Sequence, residues 1–136
     1  EERFRIALDA VGGHIFDWDL RRGSVWRSPG LAPLIGYREE EIPTENSWWL
    51  ERVHPDDRAE QNRIGREAVS RRQAQLQSEY RVRHRDGHWI WVRSASRLFY
   101  DAEGRPLRVL GCSFGIDDRR RAEEAQRRAF ARVELV

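Results

Sequence analysis

The chain has 136 residues, 39% of them apolar, and 25 basic against 23 acidic residues for a net charge of +2. That length can bury one real core, and no apolar run approaches the length of a membrane span, which excludes direct membrane insertion. Arg is interleaved with Asp and Glu rather than gathered into a basic patch, which argues against nucleic acid as a partner.

Every basic residue is Arg, a pattern that fits GC-rich coding. The single Cys112 closes no internal disulfide and suits a reducing cytoplasm. The opening Glu-Glu-Arg-Phe-Arg lacks the apolar core of a signal peptide, and the chain contains no Met, so it reads as a piece cut from a longer protein.

In chain order, Phe4, Leu8 and Val11 recur at spacings of four and three, which predicts a flanking amphipathic helix over 1–11, broken by Gly12-Gly13. His14, Phe16 and Trp18 then alternate with polar residues, and Ser24–Arg27 returns after Arg21-Arg22-Gly23, which predicts a hairpin. Ser28-Pro29 reads as a helix cap with Pro at the first helical position, leading Leu31, Leu34 and Ile35 to a stop at Gly36. Residues 39–46 read as polar connector and 47–53 as a turn or two of helix. His54-Pro55-Asp56-Asp57 starts a helix running to about Arg72, with Ile64, Ala68 and Val69 inward. Its oxygen and nitrogen groups are explained as helix-start chemistry, so no metal site is expected there.

The most informative stretch is 79–118. Three β-rich runs are separated by Asp86-Gly87 and by Asp101-Ala102-Glu103-Gly104, turns in which Gly accepts positive φ. This predicts a three-stranded antiparallel meander. After it, Ala122, Ala125, Ala129, Val133 and Val136 form a narrow stripe on a charged helix over 117–136, weak alone and suited to pairing with a second helix.

The order of these pieces resembles a PAS domain with its PAC segment, of the bacterial sensor type. The matching residues are Ile15-Phe16-Asp17-Trp18-Asp19-Leu20, Ser28-Pro29, Leu34-Ile35-Gly36-Tyr37, Glu40-Glu41-Ile42 and Val53-His54-Pro55-Asp56-Asp57-Arg58. They continue with Tyr80-Arg81-Val82, Asp86-Gly87, Asp101 to Pro106, and Gly111. The resemblance implies an α+β fold: a five-stranded antiparallel sheet with short helices on one face, a core over 12–116, and helices flanking it. It also implies a non-catalytic sensory or dimerising input module, upstream of a histidine kinase, a diguanylate cyclase or a phosphodiesterase. The exit signature of the family, an Asp-Ile-Thr-Glu-Arg-Lys-like run, stands here as Gly115-Ile116-Asp117-Asp118-Arg119-Arg120, with Gly for the first acid and Asp117 for Thr. Asp117, Asp118 and Ala122 are the expected signal exit.

Strand alternation assigns Ile90, Val92, Ser94, Ser96 and Leu98 inward, and Trp89 and Trp91 outward. Phe16, Trp18, Tyr80, Val82 and Ser113 join the inward set, opposite Leu34, Ile35, Ile64 and Ala68, to give the candidate ligand pocket. Buried serines need partners, supplied either by a polar ligand or water, or by backbone in a filled core. The outer tryptophans are expected to be covered by Phe4, Leu8 and Val11, within one chain or across a homodimer, whereas Trp18, Trp26, Trp48 and Trp49 pack the core or cover the pocket. The Asn-Cys-Arg motif of photoactive flavin domains is absent: Glu45 to Trp49 holds no Cys, and Cys112 should point outward. Non-covalent flavin, or haem on His14, remain as alternatives to a small ligand, as does a ligand-free dimerisation module; His84 and His88 flank a turn and are expected to be solvated. No nucleophile elbow, phosphate loop or phosphoacceptor box is present.

Overall fold

Alternating strands and Gly turns build the sheet in the computed structural model, which describes residues 2–134. The elements are α1 (Glu2–Ala10), β1 (Gly13–Asp19), β2 (Ser24–Arg27), α2 (Leu31–Ile35), α3 (Asn46–Leu50), α4 (Pro55–Ser70), β3 (Gln75–Arg83), β4 (Trp89–Tyr100), β5 (Pro106–Gly115) and α5 (Asp117–Glu134). A 3-10 turn at Glu39–Glu41 interrupts the expected connector. The strands form one antiparallel sheet in the order β2-β1-β5-β4-β3. Gly13 at the start of β1 lies opposite Phe114 near the end of β5. No helix among the described residues is long and apolar enough to cross a membrane.

The turns form where Gly permits them: Gly87 (φ 102°) and Gly104 (φ 81°) take the positive φ that other residues resist. At the second turn the Asp101 carboxylate accepts from the Glu103 and Arg105 N–H groups, both at 2.9 Å. Each sheet edge is covered along part of its length. Val25 N–H donates to Thr44 O at 2.7 Å along β2, and Arg83 N–H donates to Arg52 O at 2.9 Å along β3. These contacts occupy some of the edge groups that would otherwise template another chain.

α4 starts as expected: Pro55 opens it and His54 Nδ1 accepts from Asp56 N–H at 3.0 Å. The cap expected at Ser28 serves the sheet instead. Ser28 is buried, its hydroxyl accepts from Ile15 N–H at 2.8 Å, and its own N–H donates to Ile15 O at 2.9 Å. That places Ser28 as the last rung of the hairpin and leaves α2 to begin after Gly30 with no side-chain cap.

The filled core is Leu31, Ile35, Val53, Tyr80, Val82, Ile90 and Val92, with Leu34, Tyr37, Ile42, Trp48 and Trp49 packed against it. Trp26 is a correction. It is 53% exposed because alternation along β2 turns Val25 and Arg27 inward and Trp26 out, opposite Asp17.

Trp91 is another correction. The expected cover by α1 is replaced by two guanidinium groups, Arg120 at 3.7 Å and Arg81 at 5.1 Å from the ring centroid. Asp57 holds Arg81 through three hydrogen bonds of 2.9–3.0 Å, and Glu79 holds Arg120 at 2.9 Å, so the indole face is screened without a helix. α1 buries only Leu8, which fills the space beside Gly13, while Phe4, Ile6 and Val11 stay exposed. Trp89 is 39% exposed, with the His54 ring 4.4 Å away.

Candidate ligand cavity and exit junction

A cavity of about 280 Å³ opens between the sheet, where β3 contributes Leu76, Ser78 and Tyr80 beside residues of the other four strands, and helices α3 and α4. Of the residues expected in a pocket, Phe16, Trp18, Tyr80, Ser94, Ser96 and Ser113 line it. Leu34, Ile35, Val82, Ile90 and Val92 lie on the same face of the sheet but in the filled core beyond its end. Ile64 is half-buried and Ala68 fully buried; neither lines the cavity, and the Ala68 carbonyl accepts from the Tyr100 hydroxyl at 3.3 Å. α4 instead presents Gln61, Asn62 and Gly65, and α3 adds Asn46, Trp49 and Leu50. Arg27 and Val25 enter from β2.

The buried hydroxyls need neither ligand nor water. Trp49 Nε1–H donates to the Tyr80 hydroxyl at 3.1 Å, which bonds Ser94 Oγ at 3.0 Å, which bonds Ser113 Oγ at 2.6 Å. Burial pushes the Tyr80 phenol up, so this chain stays protonated. Two other cavity nitrogens have no partner: His14 Nδ1 and Trp18 Nε1.

His14 is 2% exposed, and burial together with the nearby Arg27 charge lowers its pKa from 6.5 to about 3. It is therefore a neutral ring between Phe16 and Trp49. The unfolded chain binds this proton from pH 6.5 downward while the folded chain refuses it until about 3. Stability should accordingly fall with falling pH across that window. Exchanging His14 for Phe should flatten the fall by up to about 1.4 kcal/mol per pH unit. Urea unfolding of both proteins at pH 7 and pH 5 measures it; parallel losses would show that His14 does not carry the slope.

A second cluster joins sheet to exit helix. Ile116 N–H donates to Trp91 O and Trp91 N–H donates to the Asp117 carboxylate, both at 2.9 Å, so the first turn of α5 is bonded to β4 on both backbone groups of one residue. Glu79 on β3 receives Arg93 at 2.9 Å, Arg119 at 2.7 Å and Arg120 at 2.9 Å. Its burial would raise the pKa, but the three guanidinium groups prevail and hold it down to about 2. Asp118 and Ala122 point to solvent, as do all side chains of 121–132. Val133 and Val136 of the expected stripe lie outside the described side chains.

The sequence profile of the PAS fold family matches residues 24–113. The chain belongs to the PAS fold family. The sensory box histidine kinase/response regulator of Burkholderia thailandensis has a solved structure that superposes on this PAS domain with a TM-score of 0.85 at 30% identity, over 98% of this chain and 99% of that one. The two-component sensor PprA of Pseudomonas aeruginosa is 34% identical over 115 residues, 80% of this chain. The uncharacterized protein y4lL of Sinorhizobium fredii is 32% identical over 117 residues, 86% of this chain. The chain spans 12% and 13% of the length of these two curated relatives. The N-terminal domain of a diguanylate cyclase with PAS/PAC sensor from Marinobacter aquaeolei shares the fold, with a TM-score of 0.68 at 20% identity.

Within this PAS domain, Cys112 lies on β5 opposite Ile15 and Ala95, on the face away from Ser113, and burial raises its thiol pKa. His84, Asp86 and His88 at the β3–β4 turn have ligand-type atoms within 4.8 Å of one another. The two imidazoles stack at 4.6 Å with only 18° between planes, so their in-plane lone pairs run parallel and do not converge on one ion. Sequence reasoning placed Trp49 and α4 at the pocket but missed the residues that α3 and α4 add to the wall, Asn46, Gln61, Asn62 and Gly65, because these are polar or small and carry no periodic apolar signal. It also missed Glu79, whose three partners come from two distant segments.

Proposed function

We propose that this PAS domain is a sensory input module that binds a small molecule in the cavity and passes the change to α5. The carrying observation is the cavity's composition: an aromatic-lined space holding two buried, unpartnered nitrogens, His14 Nδ1 and Trp18 Nε1. Orphaned buried polar atoms cost about 1–3 kcal/mol each, a cost a ligand would relieve. At about 280 Å³ the cavity is just below the ~300–1,000 Å³ range of ordinary ligand pockets, which favours a small metabolite over flavin or haem.

The relay follows the sheet. Ser94 faces the cavity, its neighbour Arg93 bonds Glu79, and Trp91 bonds Asp117 and stacks under Arg120. A ligand that prefers one setting of β4 would thereby bias α5, by no more than its difference in affinity for the two settings. The module works as a homodimer in this reading: Phe4, Ile6, Val11 and Phe130 are exposed, as is the Ala122, Ala125, Ala129 stripe. The output is a histidine kinase or cyclic-di-GMP enzyme, in the cytoplasm, where the unpaired Cys112 stays reduced.

Native mass spectrometry of the 136-residue chain tests both halves. A dimer carrying a discrete small adduct is expected, and the double variant Ser78→Leu, Ser96→Leu, which fills the cavity, should lose the adduct and keep the dimer. An adduct unchanged by the filling would place the ligand elsewhere. A clean apo dimer would favour a purely structural dimerisation module.

A further inference from the structure

The charge around the cavity is one-sided. No Asp or Glu lines it, whereas Arg27 does, alongside the neutral His14. Five arginines are half-buried among the described residues: 27, 52, 81, 93 and 120. Arg81 is paired with Asp57, and Arg93 and Arg120 with Glu79. Arg52 has no carboxylate but lies over the Trp48 ring at 3.7 Å and away from the cavity. Of these five, Arg27 alone faces the cavity, and its Nη1 donates to a neutral group, the Pro43 carbonyl, at 2.8 Å. Burial lowers its pKa, so the charge sits where solvent compensates it poorly.

Of the two unpartnered cavity nitrogens, His14 Nδ1 donates or accepts according to the tautomer of its neutral ring, whereas Trp18 calls for an acceptor. Trp18 Nε1–H is a donor with nothing to receive it. Trp18 and Arg27 occupy adjacent diagonal positions, since Phe16 lies opposite Arg27 and Trp18 opposite Val25, and all four side chains face inward. Tyr80, Ser94 and Ser113 satisfy one another and make no demand. The rest of the lining combines neutral polar side chains, Asn46, Gln61 and Asn62 among them, with an aromatic and aliphatic part that includes Phe16, Trp49 and Val109.

Resting on the ligand-cavity reading above, we infer that the ligand is an aromatic monocarboxylate, with its carboxylate on Arg27 beside the Trp18 N–H and its ring among Phe16, Trp49 and Val109. A carboxylate presents two oxygens to a guanidinium fork in a charge-assisted pair, which supplies orientation as well as affinity. A ligand of this kind cancels the one uncompensated charge in the cavity. A neutral ligand of the same shape fills the space and leaves Arg27 as it is.

The test uses matched acid and amide pairs: benzoate against benzamide, phenylacetate against phenylacetamide, and indole-3-acetate against indole-3-acetamide. Each is titrated into the 136-residue chain by calorimetry, with the quenching of tryptophan fluorescence as a second readout for the non-indole pairs. At least one acid should bind about tenfold or more tighter than its amide, the worth of a charge-assisted hydrogen bond. Arg27→Gln should erase that acid–amide difference, and Arg27→Lys should keep part of it; circular dichroism checks both folds. The comparison within the unaltered chain stands even if a variant does not fold. Acid and amide binding equally would overturn the anion assignment and leave the ligand cavity intact. Binding of neither, across all three pairs, would overturn both.

Discussion

Exchanging Glu79 for Gln should loosen the root of α5 and cost about 1.5–3 kcal/mol at pH 7, the worth of a hydrogen bond to a charged group. Glu79 is 19% exposed and gathers three guanidinium groups, but these are unequal. Arg119 is 46% exposed, so solvent screens its share. Arg120, 3.7 Å over the Trp91 ring centroid, and Arg93 carry most of the effect. With the carboxylate gone, Arg120 loses the contact that orders it over the indole. Amide hydrogen exchange at 117–122 should then quicken selectively.

The pH dependence has a definite sign. The folded Glu79 pKa is depressed from 4.5 to about 2, so its contribution is fully present above 4.5 and disappears as pH falls toward 2. Urea unfolding of the two proteins should therefore differ at pH 7 and converge by pH 2. Because other paired carboxylates lose stability over the same range, the difference between the proteins is the quantity to follow. A constant difference across the range would remove the ion cluster from the account.

Ile35→Ala on α2 and Ser96→Leu on β4 should behave differently although both side chains lie between the sheet and the helices. Ile35 is 0% exposed in the filled core, and truncating it should cost about 2–5 kcal/mol through lost burial and the cavity left behind. With a urea slope of about 1–3 kcal/mol/M, the midpoint should drop by about 1 M or more. Ser96 faces space that already exists, and its hydroxyl makes only a long 3.5 Å bond to the Leu76 carbonyl. Three added carbons there should change stability by less than about 1.5 kcal/mol, as for a substitution that avoids overpacking. A large loss in Ser96→Leu would mean that the cavity is collapsed in solution.

Much of the sheet was legible because its signals are local. Asp86-Gly87 and Asp101 to Gly104 mark turns by themselves, and alternation from Ile90 to Leu98 assigns faces without any tertiary knowledge. Alternation cannot say how far along a strand the helices close onto the sheet. Alternation therefore puts Val82, Ile90 and Val92 with Ser94 and Ser96, although the first three pack solidly and the last two border space. The opposite wall was illegible for a different reason: periodicity credits α4 with its apolar Ile64 and Ala68, while the cavity is walled by Gln61, Asn62 and Gly65. Trp91 shows the third limit. A large exposed indole reads as a demand for apolar cover, and two arginines restrained by carboxylates from other elements met that demand instead.

The pairing of Gly13 with Phe114 has an architectural consequence. Directly opposed residues in an antiparallel ladder sit only about 4.5–5.5 Å apart. The polypeptide thus comes in and goes out through adjacent central strands, and the hundred residues between form a side loop rather than a spacer. In a longer polypeptide, excising residues 14–113 would leave two ends close enough to be rejoined almost directly. Such a unit can be inserted, duplicated or lost between two helices without changing the distance they span. Whatever happens inside it reaches both flanks at one doorway.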